Sequence, residues 1–221
     1  VTDQWFGDKT YSQHGEDLAI LNFFTLLGIS KPSYLDLGAH HPSNISNTAL
    51  LYSRGSRGVN VEANPNLIQE FKTHRPDDLN LNIGVALSTE SLPFYMIDEH
   101  SGRNTFSKQE AEKFVTEYPQ FKIQKVINVQ CFPIKEILKR CPNNEYPDFL
   151  SMDVEGLDYD ILKQMDLEYS KSSPKIICVE VRQEDSQKFR QLLWPMYPLI
   201  LRFGANLVCV REDMYQKLEK L

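Results

Sequence analysis

The run Tyr34-Leu35-Asp36-Leu37-Gly38-Ala39-His40-His41-Pro42 decides the reading of this chain. Its first four residues have the composition of a short strand carrying one acid, and Gly38 closes it in a tight turn. A glycine there lets a ligand approach the backbone closely. The next strand-like run, Gly58-Val59-Asn60-Val61-Glu62, ends on a second acid 24 residues beyond Gly38. A carboxylate so placed is able to accept hydrogen bonds from both hydroxyls of a ribose, as in dinucleotide folds. The plainer alternative is that Asp36 caps the turn and Glu62 is a solvated strand end.

Outward from this pair, extended and helical patterns alternate. Upstream, Leu18, Leu21, Phe24 and Leu27 recur every third residue, which predicts a helix from near Gly15 to Leu27. Glu16 and Asp17 suit its N-terminal dipole. A short helix spans Ala49 to Arg54. Asn64 followed by Pro65 is a cap and first position for a helix through Phe71. Leu79 to Leu87 reads as a third strand and Leu92 to Ile97 as an additional one. Ser107-Lys108-Gln109-Glu110 is a capping box opening a helix toward Tyr118. Ile123 to Phe132 reads as extended and Ile134 to Arg140 as helical. Phe149 to Asp153 is a strand running into Gly156, with a helix through Leu162. Lys175 to Val181 has the β-branched content of a strand buried on both faces. A helix from Gln187 to Leu193 and two strands, Leu199 to Phe203 and Leu207 to Val210, complete the pattern. This order implies an α/β fold with a mostly parallel central sheet and a C-terminal antiparallel hairpin, in one domain over residues 1–221.

Composition narrows the function classes. The chain has 221 residues, a net charge of -6, 41% hydrophobic and 24% charged residues. An acidic balance argues against a nucleic-acid partner, which would need clustered Lys and Arg. No apolar run is long enough to cross a membrane. Cys131, Cys141, Cys178 and Cys209 are scattered, without zinc spacing, and fit a reducing, cytoplasmic setting. The first residue is Val1, so the chain reads as a segment of a longer protein; it shows no leader peptide.

Asp36, Glu62 and Asp153 stand at predicted strand ends, with Glu180 near a fourth. In an open α/β sheet, ligands bind outside the carboxyl ends of the strands. A nicotinamide dinucleotide would need G-x-G-x-x-G to cradle its pyrophosphate, and here only Gly38 is present. No phosphate-binding G-x-x-x-x-G-K-[ST] loop exists either, so the pattern suits a nucleoside cofactor without phosphate. In Asp153-Val154-Glu155-Gly156-Leu157-Asp158, Asp153 is placed to orient an acceptor or to hold a metal, and Asp158 to satisfy a helix dipole. Asp153 and Glu180, with Asn206, make an oxygen set chemically suited to Mg²⁺ or Mn²⁺.

At these residues the chain resembles the FkbM family of S-adenosylmethionine-dependent methyltransferases. The resemblance runs from about Tyr11 to Val210 and is carried by motifs in order: Ser12-Gln13-His14-Gly15-Glu16-Asp17, the Tyr34 to Pro42 run, and Ser46-Asn47-Thr48. Val61-Glu62-Ala63-Asn64-Pro65, Asn104-Thr105-Phe106-Ser107, Asp148 to Asp158 and Asn206 to Val210 follow. It implies a Rossmann-like class I methyltransferase fold and O-methylation, commonly of sugars or natural-product hydroxyls. By position, Asp36, Gly38 and Ala39 line the methionine end of S-adenosylmethionine, with His40 in the same loop. Glu62 binds its ribose, Ala63 and Asn82 lie near its adenine, and Gln13 and Glu16 cover it. The general pattern has a second glycine where this chain has His40.

The reaction so implied is an in-line displacement, needing an acceptor oxygen about 3 Å from the methyl. The acceptor hydroxyl loses a proton, so a base belongs beside it. Asp153, Glu180 and the histidines, His41 foremost, are the candidates; the histidines serve equally to shape the cofactor loop. The expected partner is a small-molecule or glycan acceptor. Arg103 and residues 104–107 fall in an insertion expected to shape its pocket. Arg54, Arg57, Arg75 and Arg182 are able to meet an acidic or phosphorylated acceptor, with surface solvation the default for each. The competing reading is an inactive methyltransferase-fold binding module in a larger glycan-processing protein.

Overall fold

A computed structural model describes residues 10–221 apart from 101, 155, 166 and 168–172, so Glu155 of the second acidic run lies outside the described residues. The main sheet holds β1 (Tyr34–Leu37), β2 (Gly58–Val61), β3 (Leu79–Leu81), β7 (Phe149–Met152), β8 (Ile176–Glu180), β9 (Leu199–Phe203) and β10 (Asn206–Val210). Their order is β3-β2-β1-β7-β8-β10-β9. The block from β3 to β8 is parallel, and β10 runs antiparallel to both β8 and β9. The chain winds outward from β1 to β3, then returns to place β7 on the other side of β1. The switch point therefore lies between β1 and β7, where such sheets bind ligands.

Alternate residues of the strands enter two cores. Leu35, Leu37, Leu150, Met152, Ile177 and Val179 pack with residues of α5 (Ile134–Leu138), α6 (Asp158–Gln164) and α7 (Ser186–Leu193). Tyr34, Phe149, Ile176, Val208 and Val210 pack with α1 (Glu16–Leu26), α2 (Ala49–Ser53) and Met214 of α8 (Glu212–Leu218). Burial on both faces is why these strands read as near-continuous apolar runs. Each fully buried Leu or Ile stabilises the fold by roughly 1.5–3 kcal/mol.

Register creates a feature that the strands do not announce singly. Asp36 lies opposite Asn60 and Ser151, Asn60 opposite Asn80, and Ser151 opposite Cys178. A polar row thus crosses the sheet next to the C-terminal strand ends.

Two expectations change. Leu79 to Leu87 is not one strand: β3 ends at Leu81, and β4 (Gly84–Val85) joins β5 (Glu90–Met96) and β6 (Lys125–Phe132) in a second sheet, order β4-β6-β5. The Asn82 amide donates to the carbonyls of Glu62 and Ala63 at 2.9 and 3.0 Å, turning the chain away from β2. The chain also continues beyond β10 into α8, whose one buried side chain, Met214, leaves little periodic signal. The remaining helices are α3 (Pro65–His74) and α4 (Lys108–Glu117), capped by Asn64 and Ser107 as their sequences require. Among the described residues, no helix is long and apolar enough to cross a membrane.

Candidate active site

A cavity of about 600 Å³ opens at the C-terminal ends of the strands. Of the residues singled out from sequence, it is lined by Gln13, Asp36, Gly38, Ala39, His40, Glu62, Ala63, Asp153, Glu180 and Asn206. Glu16, His41 and Asn82 are not among its lining residues.

Gly38 sits at the switch point. It adopts φ +74°, and a Cβ built on it would lie 1.8 Å from the Asp153 carbonyl oxygen. The Asp153 amide meanwhile donates to the Leu37 carbonyl at 3.0 Å. The missing side chain thus admits the backbone after β7 as much as any ligand. Asp158, the first residue of α6, accepts from the Val154 and Gly156 amides at 3.1 and 3.2 Å and shapes the same turn. His40 takes φ +54° where methyltransferase loops of this pattern carry a second glycine. A non-glycine residue there costs about 1–2 kcal/mol. The amide of His40 donates to Glu62 Oε2 at 2.8 Å, tying the loop to the end of β2.

Glu62 is only 7% exposed. Its second oxygen accepts from the Asn64 amide at 2.7 Å. Burial pushes its carboxyl up to about 7, although the Asn64 and His40 amides pull the other way. Each carboxylate oxygen keeps a further lone pair for a ligand hydroxyl.

Residues of the β5 to α4 connection roof this side. The Glu99 carbonyl accepts from the side chains of Asn64 and Asn66 at 3.0 and 3.2 Å, and Asn104 ties Ile97 to Asp98. Phe94 and Phe106, 4.8 Å apart, join Leu67, Ile83 and Val85 to give the cavity an apolar wall. Arg103 stacks over Phe114 and Phe121 and lies 3.7 Å from Asp98. The insertion therefore covers the β2 end of the cavity.

The opposite end is polar. Asp153 follows β7, Glu180 ends β8, and Asn206, its register partner, begins β10. Gln13 and Asn47 close the group. The Asn47 amide donates to Ser151 Oγ at 3.3 Å. Gln13 lies on a segment crossing the strand ends: the Ser46 amide donates to the Tyr11 carbonyl, and Glu16 accepts from Asn206 at 2.6 Å. Glu16 is buried beneath this segment. Burial works to raise its carboxyl, but hydrogen bonds from its own backbone, Asn206, Ser12 and His14 hold it below the usual range. Glu16 thus fastens the segment that carries Gln13.

His41 Nδ1 accepts from the Ser43 and Asn44 amides, both at 3.1 Å, which places its proton on Nε2. Its lone pair is committed to the loop. Arg75, expected at the surface, is 1% exposed beneath the loop of residues 42–48. Neither its sequence neighbours nor its spacing signals this. Asn47, by contrast, belongs to the Ser46-Asn47-Thr48 motif that carried the resemblance. Asp153, Glu180 and Asn206 share the polar end of the cavity, but among the described residues no group of three or more His, Cys, Asp or Glu is placed to hold a metal ion.

A search of curated proteins finds no match. The crystal structure of a methyltransferase FkbM from Methylobacillus flagellatus KT is similar at 13% identity and a TM-score of 0.48, covering 81% of this chain. The chain spans 44% of that structure's length. The family model for the methyltransferase FkbM domain matches residues 36–205. That match runs from the acid of β1 to the turn before β10, well over half of the sequence, and the chain belongs to the FkbM methyltransferase family.

Proposed function

We propose that this chain transfers a methyl group from S-adenosylmethionine to a hydroxyl oxygen of a polyhydroxylated acceptor, a sugar or glycan. Family membership implies the cofactor, and the cavity suits it: its volume falls in the range of about 300–1,000 Å³ usual for small-ligand sites. A buried carboxylate at the end of β2 and an apolar wall are the partners that ribose and a purine require. Glu62 takes the ribose hydroxyls, and Ala63, Ile83, Val85 and Phe106 enclose the base. Asp36, Gly38 and Ala39 face the amino-acid end. The bound cofactor supplies an electrophilic methyl carbon on a cationic sulfur.

The observation that carries the acceptor reading is the polar end, where Gln13, Asn47, Asp153, Glu180 and Asn206 line the cavity. The aromatic lining residues, Phe94 and Phe106, come from the second-sheet region and the roof. Carboxylates and amides together accept from and donate to hydroxyls, whereas a flat aromatic acceptor would be served by apolar walls. Asp153 is the proposed general base, since it lines the cavity and its amide is fastened to the Leu37 carbonyl at the switch point. It takes the acceptor proton as the bond to oxygen forms. Glu180 and Asn206 orient the acceptor.

The test is a methyl-transfer assay over a panel of neutral sugars, with Asp153→Asn beside the parent chain. The variant loses about 10²–10⁴-fold in turnover, the scale of general-base catalysis, while S-adenosylhomocysteine binding is retained. Turnover equal to the parent's at saturating acceptor removes Asp153 from this role. Transfer to amines in preference to hydroxyls overturns the acceptor class.

A further inference from the structure

Thr48 and Arg75, in the buried network behind Asp36, have no place in the chemistry above. Asp36 is 4% exposed, and its Oδ2 accepts from Thr48 Oγ1 at 2.6 Å. That same hydroxyl oxygen accepts from Arg75 Nη1 at 2.8 Å. A hydroxyl has one proton to give, and here it goes to the carboxylate while the guanidinium occupies a lone pair. Arg75 also donates to the Pro42 carbonyl, to Ser46 Oγ at 2.9 Å and to Asn60 Oδ1 at 3.4 Å. One planar cation therefore fastens both ends of the 42–48 loop and the middle of β2. Its ring neighbours are Tyr52 and Phe71, at 5.5 and 5.2 Å.

A network this deep is expensive to build unless it serves something. A buried carboxylate costs free energy when ionised, and burial pushes the Asp36 carboxyl up while the Thr48 hydroxyl and the Arg75 charge pull it back. Asp36 nevertheless lines the cavity. The amino-acid end of S-adenosylmethionine carries an ammonium, for which an ionised, oriented carboxylate is the complement.

We propose that Thr48 and Arg75 are positioning residues that hold Asp36 aimed and charged for the ammonium of the cofactor. The relay rests on the cofactor reading given above and adds to it the two residues that hold Asp36 in place. Thr48 supplies the directed proton, and Arg75 supplies the charge without entering the cavity.

Two ligands separate this role from a merely structural one. S-adenosylhomocysteine carries the ammonium; 5′-methylthioadenosine has the same nucleoside and lacks the amino-acid tail. Calorimetric titration of each into the full chain compares the parent with Thr48→Val, Thr48→Ser, Asp36→Asn and the Thr48→Val/Asp36→Asn pair. Thr48→Val weakens S-adenosylhomocysteine about ten-fold, the scale of one charge-assisted hydrogen bond, and changes 5′-methylthioadenosine less than about two-fold. Thr48→Ser restores the affinity. In the Asp36→Asn background, Thr48→Val adds almost nothing, because its partner charge is already gone. Arg75→Met moves the same ligand in the same direction; since that variant risks the fold, the Thr48 series decides. Equal weakening of both ligands, no weakening of either, or additive losses in the double variant overturns the relay. If the folded parent binds neither ligand, the cofactor reading itself has failed.

Discussion

Glu62→Gln separates folding from cofactor binding by moving them in opposite directions. The carboxyl of Glu62 sits at about 7, against 4.5 for an unstrained glutamate, chiefly because it is buried. A folded-state value raised above the unfolded one means that the native state binds the proton more tightly. The stability this group contributes is fully present below pH 4.5 and is lost as pH rises through 7. Shifts of this size are worth about 1.4 kcal/mol per unit, so the loss between pH 5 and pH 8 is about 2–3 kcal/mol. Glutamine stays neutral and resembles the protonated acid. The stability difference between variant and parent therefore shifts toward the variant by that amount over the same range. For a chain of this length that corresponds to roughly 5–10 °C in Tm. Binding moves the other way: one acceptor oxygen becomes an NH₂ group facing a ribose hydroxyl, costing about 1–3 kcal/mol. The assays are urea denaturation of the apo chain at pH 5, 6, 7 and 8 and calorimetric titration of S-adenosylhomocysteine at pH 8. Other titrating groups cancel in the difference between the two proteins. A stability gap that is flat with pH refutes the argument from burial, and unchanged affinity refutes the ribose assignment.

Two further substitutions test how the site is built. Gly38→Ala places a methyl 1.8 Å from the Asp153 carbonyl in a backbone of φ +74°. The turns after β1 and β7 should separate, with S-adenosylhomocysteine affinity falling more than ten-fold and stability by about 2 kcal/mol or more; parent-like values in titration and denaturation would dismiss that contact. Asn64→Ala removes the cap of α3 and one donor to the Glu99 carbonyl. It should cost about 1–2 kcal/mol and raise amide exchange in residues 97–104, whereas unaltered exchange there would mean that the roof is held by other contacts.

Much of the architecture was legible from local pattern. Strand-turn signals around Asp36, Val61 and Asp153 placed the strands that bear the site, because β-branched runs and a following glycine report burial and turning directly. The cap residues Asn64 and Ser107 announced their helices for the same local reason. Leu79 to Leu87 failed as a single strand because Asn82 reaches across to the end of β2, a contact 20 residues away in sequence. His41 drew attention as a titratable residue beside a glycine turn; its lone pair is spent on two amides, and no residue pattern displays that.

Which acids stand at strand ends follows from local sequence, since strand boundaries depend on neighbours within a few residues. So does the family, since ordered motifs survive without coordinates. Which of those groups meet depends on the packed fold. Parallel register set Asp36 beside Asn60 and Ser151, and packing buried Arg75 against Thr48. The β5 to α4 connection was brought over the end of β2. Each of these is a long-range contact, whose free energy comes from chain segments far apart in sequence. Composition and spacing report only the propensities of the segments taken singly.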